Sequence, residues 1–333
     1  MDLIIFVVAL SVLVLVHEWG HFVAARKTGV KVEEFGLGLP PKIIGKKIRG
    51  TIYSLNWLPI GGFCKLYGED GDGKGGEAFN HKKPWQKLII VMGGVLMNLV
   101  LAITIFTMVY MILGVPKEMD KVKIVAVVKD SPADKVGLKE NDWVNKVGNV
   151  EIKTPNQLTD EVAKYKGKKV NLIIDENKIV NIEVRENPPE GEGSMGVAIS
   201  NMEMVKVPWY RFYEGIGAGF EEAYYWGKII ANGVGKMVGG LFVGQVPKDV
   251  SGPIGMYEAT SAINKNQGIL AVIHFFGIVS VNLAIVNILP FPALDGGRII
   301  FVLYEMLTKR KANQKVEAVV NNLGMIILLA LIV

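Results

Sequence analysis

The sequence predicts a multi-pass α-helical membrane protein of about four transmembrane helices, with a membrane-associated β-hairpin and one inserted extracytoplasmic domain. Three observations predict it. Half of the 333 residues are hydrophobic and only 21% are charged, against about 25% charged in an ordinary soluble domain. Residues 88–116 and 266–294 contain no charged side chain, and each stretch exceeds the roughly 20 residues that cross a bilayer core as helix. The basic surplus also alternates from loop to loop. Residues 26–87 carry 12 Lys/Arg against 6 Asp/Glu, residues 117–265 carry 20 against 21, and residues 295–317 carry 5 against 3. Basic loops stay on the cytoplasmic side, so the first and third loops are expected inside and the long second loop outside. The net charge of +5 is then a topology signal, and nucleic-acid binding has no support.

The first segment, 1–116, is expected to hold two transmembrane helices and the loop between them. Residues 3–16 are apolar or small and run directly into a charged motif. No A-x-A-like cleavage site follows, so the segment is read as a retained span and not as a signal peptide. In the loop, Thr51 to Leu58 and Phe63 to Tyr67, around Pro59-Ile60-Gly61-Gly62, look like a β-hairpin. A hairpin this apolar beside a membrane helix is expected to dip into the bilayer, where open strand edges are tolerated only against protein or a wet cavity.

Residues 117–190 change character. Short β-rich runs at 122–128, 170–174 and 179–184 alternate with turn signals and one helical stretch near 157–165. Residues 191–265 are Gly-rich and mixed, and Tyr210 to Val243 reads as an amphipathic helix lying on the membrane or on the preceding domain. The last segment, 266–333, is expected to hold transmembrane helices three and four. The fourth is only a 16-residue apolar run at the end of the chain.

The chemistry is concentrated in two places. His17-Glu18-Trp19-Gly20-His21 is an HExxH motif. On a helix its two imidazoles share one face and can hold one metal ion, with Glu18 placed to take a proton from an attacking water. The single cysteine, Cys64, excludes a disulfide framework and any Cys-rich zinc site. His17 lies about 20 Å into the first span at 1.5 Å per residue, a depth at which ionisable groups are costly and by default functional. A catalytic zinc needs a third protein ligand and an open position. Asn287-Ile288-Leu289-Pro290-Phe291-Pro292-Ala293-Leu294-Asp295-Gly296-Gly297 supplies it, since the third span ends on the side where the first span carries HEWGH. Asp295 is the expected ligand, the alternative being a helix N-cap ahead of Arg298. Asn287 offers an amide for a substrate strand or an oxyanion. His274 is expected far from this site and His81 at the surface.

Two resemblances follow from these residues. Ser131-Pro132-Ala133, Gly137-Leu138 and Asn141-Asp142 resemble the signature of a PDZ domain, with Asn-Asp where Gly-Asp is usual. HEWGH with Phe22-Val23-Ala24-Ala25-Arg26, Leu58 to Phe63, Ser251-Gly252-Pro253-Ile254-Gly255 and Asn287 to Gly297 resemble the site-2 protease family of intramembrane zinc metalloproteases, in its bacterial RseP-type branch with one PDZ domain. That resemblance implies zinc on His17, His21 and Asp295, water activation by Glu18 and a substrate-steadying role for Asn287. It also implies a first-loop hairpin, with Gly61, Gly62 and Phe63, that pairs with an unwound substrate helix. Gly94-Val95-Leu96-Met97-Asn98 stands where the family has Gly-Pro-x-x-Asn, and makes Asn98 a further expected substrate contact. The implied substrates are single-span membrane proteins, such as anti-sigma factors or signal-peptide remnants. The implied place is the bacterial cytoplasmic membrane, with the site toward the cytoplasm and the PDZ domain outside. Two rival readings are a metal-binding membrane transporter, which should show inverted repeats that are not found, and an inactive PDZ scaffold, which the intact Glu18 opposes.

Overall fold

Helix α1 (Asp2–Lys27) carries the first apolar run and HEWGH on one continuous helix. A helix pairs every backbone N–H and C=O within itself, which is what an apolar segment must do in lipid. It stops where the Thr28 hydroxyl donates to the carbonyls of Ala24 and Ala25, at 2.9 and 3.0 Å, and Gly29 turns the chain at φ +74°. The computed structural model describes residues 1–69, 73–175, 178–189, 191–242 and 252–332. The chain divides into two units, Met1–Tyr110 with Arg211–Val333, and Met111–Tyr210.

In the first unit, β1 (Val32–Ile48) and β2 (Thr51–Leu66) form the expected sheet in a different register. Thr51 to Leu58 and Phe63 to Tyr67 do not pair with each other. Both pair with β1, so that Phe35 is flanked by Cys64 on one side and Tyr53 on the other. The tight turn is Arg49-Gly50, where both residues have positive φ, as a type I′ hairpin turn requires. Residues 34–37 are therefore interior to the sheet, and 62–65 form a segment of β2 at its margin. Helix α2 (Pro84–Leu113) opens on a proline, whose missing N–H would be unpaired there anyway. It packs against α1 through Gly20 and Gly93. A Cβ on Gly20 would lie 2.1 Å from the Gly93 carbonyl oxygen, so only glycine allows this approach.

The second unit contains β3 (Val115–Val127), α3 (Pro132–Lys135), β4 (Trp143–Val147), β5 (Val150–Glu151), α4 (Pro155–Ala163), β6 (Lys169–Ile174), β7 (Lys178–Glu183) and β8 (Val197–Val205). Five strands run in the order β7-β6-β4-β3-β8, and β5 pairs with β4. Ser131 and Thr154 cap α3 and α4 by accepting from the N–H groups of Asp134 and Gln157. Leu158, Leu172, Ile174 and Ile182 are fully buried in a core of the unit's own. The boundary expected at 190 is too early. β8 lies beyond it and pairs with β3 along most of its length. A nine-residue strand split by Ser200-Asn201 does not stand out from the polar stretch around it.

The chain re-enters the first unit with α5 (Phe212–Phe242), α6 (Pro253–Gln267), α7 (Ile269–Ile288), α8 (Asp295–Thr308) and α9 (Gln314–Ile332). The expected single region 191–265 is thus divided between the units. Helix α5 packs on α7 and, through Gly219, on Thr107 of α2, and its place is in the first unit. Val243 and Ser251 of the sequence motifs lie outside the described residues. Among the described residues three helices, α1, α2 and α7, are long and apolar enough to span a membrane. The expected fourth is shorter, with its apolar portion at Val316–Ile327 of α9. α7 ends two residues before Pro290, as the restricted residue ahead of a proline leads one to expect.

Candidate metal centre

HEWGH places His17 and His21 one helical turn apart on the same face of α1. Their Nε2 atoms lie 3.2 Å from each other, and 3.1 and 3.3 Å respectively from Oδ2 of Asp295. Asp295 arrives from the first turn of α8. The N-cap of that helix is Leu294, so Asp295 does not have the capping role. Among the described residues these three form the group of side chains able to hold a metal ion, their ligand atoms all within 4.8 Å of one another.

The tautomers are set from behind. Nδ1 of His21 is 2.9 Å from the Ile90 carbonyl, which can only accept, so Nδ1 carries the proton and Nε2 presents its lone pair. Nδ1 of His17 faces the side-chain amide of Asn98, 3.3 Å from its Nδ2, while Asn98 Oδ1 is buried without a partner. Turning the amide through 180° puts that oxygen on the His17 N–H and pairs both groups. Asn98 is itself held, since Ser280 of α7 donates to its backbone carbonyl at 2.8 Å. Space for the ion comes from Gly94. A Cβ there would lie 2.5 Å from His21 Nε2 and 2.6 Å from His17 Cε1. Two lone pairs, one carboxylate and a cradle that any larger residue would fill make a site that fits zinc with three protein ligands.

The fourth direction opens into a cavity of about 440 Å³ lined by Glu18, His21, Asp295, Phe63, Cys64 and Arg298, among others. Gly62 passes close by, since a Cβ on it would be 3.9 Å from Glu18 Cγ. Burial, reinforced by the carboxylates of Glu18 and Glu69, pushes the Cys64 thiol well above its ordinary value. Arg298, one turn beyond Asp295, forms an ion pair with Glu69, whose other oxygen accepts from the Leu66 N–H at 3.1 Å. This ties the end of β2 to the helix that carries the third ligand. Lys87 of α2 and Glu305 of α8 form a second, largely buried pair at 2.7 Å.

The structure thus brings together His17, Glu18, His21, Asp295, Gly62 and Phe63. Gly61, at φ +82°, turns the strand toward Val14 and does not line the cavity. Asn98, expected as a substrate contact, is fully buried behind His17 and does not line the cavity. Asn287 is half-buried near the end of α7 and does not line the cavity, because the chain reverses through 289–294 before Asp295. His81 is exposed, and His274 bonds instead to Glu222 at 3.2 Å. Glu69 and Arg298 gave no sequence signal as a pair.

Comparison with known proteins agrees with this geometry. The profile of peptidase family M50 matches residues 5–331. A Clostridium acetobutylicum protein named "Putative zinc metalloprotease" is 32% identical over 335 residues, covering 100% of this chain and 95% of its own length. A Clostridium perfringens protein of the same designation is 33% identical, covering 100% and 96%. The zinc metalloprotease RasP of Shouchella clausii is 26% identical over 421 residues, covering 99% and 96%. With its HExxH helix, its aspartate from a later helix and this match along nearly its whole length, the chain belongs to peptidase family M50, with zinc as its metal.

Proposed function

We propose that the protein is an intramembrane endopeptidase that hydrolyses peptide bonds within transmembrane segments of single-span membrane proteins. The observation that carries this reading is depth. Lys27 is ten residues beyond His17 on α1, and Gly94 is ten residues into α2. The metal site is therefore about 15 Å from the nearer end of each helix at 1.5 Å per residue, which supports a position within an apolar core about 30 Å thick. When bound, zinc polarises the scissile carbonyl and makes water acidic enough to attack at neutral pH. The Glu18 carboxylate takes the proton of the attacking water and hands it to the leaving amide nitrogen.

A peptide bond inside a helix is shielded, so the substrate must be held extended. The 62–65 segment of β2 runs beside Glu18 with Phe63 in the cavity wall, and strand addition along it would present an unwound substrate. Exposed Leu39, Ile43, Ile44, Trp57 and Leu58 give the hairpin an apolar far end suited to lipid. Asn287 is assigned to the substrate side, as a half-buried amide near the end of α7. The second unit, with its capped α3 and α4 on an antiparallel sheet, is assigned as a PDZ domain that screens substrates outside the membrane. The loop charges support a cytoplasmic-membrane location with the site toward the cytoplasm.

The test is cleavage of a single-span substrate by the purified full chain, comparing wild type with Glu18→Gln. Wild type should cut, and the variant should lose activity by about 100- to 10,000-fold while keeping its zinc, since the ligands are untouched. Equal cleavage by both, or none by zinc-loaded wild type across a panel of such substrates, would sink the proposal. Topology is tested separately by reporter fusions in the second unit, which should report an extracytoplasmic position.

A further inference from the structure

A second cavity, of about 430 Å³, opens where α2 begins and α8 ends. Its rim carries Lys82, Lys309, Arg310 and Lys311, and Trp85 and Met306 supply apolar walls. One carboxylate, Glu305, lines it, and that group is already neutralised by the 2.7 Å ion pair with Lys87. Lys82 is fixed at the opening by a 2.8 Å hydrogen bond from Nζ to the Thr28 carbonyl, which leaves two of its protons available. Lys309, Arg310 and Lys311 are exposed where α8 terminates in a left-handed Lys309, and among the described residues their side chains engage no carboxylate. Four cations face one opening, and their mutual repulsion is relieved when an anion enters.

The surroundings select the kind of anion. Trp85, Ile89, Leu96 and Val100 are exposed by 51, 46, 54 and 53%. Their spacing of four, seven and four residues places them on one face of α2. An apolar stripe therefore descends from the cavity along a helix long enough to cross a membrane. A tryptophan at its head is the residue type found at the membrane–water interface. An inorganic anion would use only the cations, whereas a lipid would use the cations and the stripe.

We propose that this cavity is a headgroup site for an anionic phospholipid. The lipid phosphate sits among Lys82, Lys309, Arg310 and Lys311, and an acyl chain lies along the Trp85–Val100 face of α2. The site stands on charge and exposure at the helix ends and does not depend on the proteolytic reading. Its occupant would bridge α2 to the far end of the helix that begins with Asp295.

The test uses the purified full chain and native mass spectrometry with phosphatidylglycerol and phosphatidylcholine, alongside melting curves with the same lipids and with inorganic phosphate. Wild type should retain phosphatidylglycerol in preference to phosphatidylcholine. The triple variant K309Q/R310Q/K311Q should lose this preference by on the order of 100-fold in affinity, the usual worth of three cations near an anionic headgroup. A control variant, K46Q/K47Q on the hairpin, should keep it. Equal zinc content in all three proteins checks that they are folded. Equal retention of both lipids by wild type, or undiminished preference in the triple variant, would overturn the proposal. So would stabilisation of wild type by inorganic phosphate as large as that by phosphatidylglycerol, since the site would then serve a soluble anion. If the triple variant misfolds, the comparison of the two lipids and phosphate on wild type still decides.

Discussion

Asn98, expected from the sequence as a substrate contact, has its side chain against a metal-site histidine instead. It is wholly buried and its amide faces His17, so it governs which nitrogen of that ring bears the proton. Outer partners of this kind are typically worth 10–100-fold in metal affinity. Asn98→Leu should therefore weaken zinc retention by about that factor, read by chelator competition, while a substrate contact would have raised KM at unchanged zinc content. Asp295→Asn removes a ligand outright and should lower zinc content sharply by elemental analysis. Unchanged occupancy would remove Asp295 from the site. HEWGH and Asp295 were legible in the sequence because the helix repeat alone puts i and i+4 on one face, and because chain direction brings the third span's end to the same depth. The Glu69–Arg298 pair was not, since its members are 229 positions apart and nothing local links them.

Among elements, the contact of α1 with α2 carries the tightest constraint. Gly20 and Gly93 bring the two backbones together so that a Cβ on either would overlap the other's carbonyl. Gly20→Leu should push the helices apart, move both imidazoles relative to Asn98 and Ile90, and cost about 1–3 kcal/mol or more as overpacking. A melting curve in detergent should show the loss, with zinc content falling alongside. A substitution at exposed Val8, on the same helix, should leave both unchanged. The hairpin was legible as apolar strands beside a membrane helix, but its register was not. The strong turn signal at Pro59 to Gly62 masked the true Arg49-Gly50 turn, and β1, with charges and two prolines, lacked the alternation that marks a strand.

At the scale of the whole molecule, the chain is two units with separate cores. The metal site belongs to the first unit, and the core around Leu158 and Ile182 belongs to the second. Leu158→Ala should cost about 2–5 kcal/mol and lower the melting of the second unit by roughly 10 °C or more. Zinc content should not change. A coupled loss of zinc would show that the units do not fold separately. The three long apolar helices were readable as uncharged stretches, because burial in lipid acts on composition over many residues. The outer limits of the second unit were not readable, because β8 owes its strand state to pairing with β3 and not to its own pattern.

The chain has one cysteine, and it stands in the wall of the cavity that holds Glu18 and Asp295. The native protein is therefore already a singly labelled probe of its own interior. A thiol-specific reagent too large for the closed cavity can react with Cys64 only while the cavity is open to it, and the raised thiol keeps the intrinsic reaction slow. The modification rate, compared between the free and the substrate-bound folded protein at one pH, then reports how readily the site admits a visitor. A bound peptide substrate should lower that rate, without a single engineered residue.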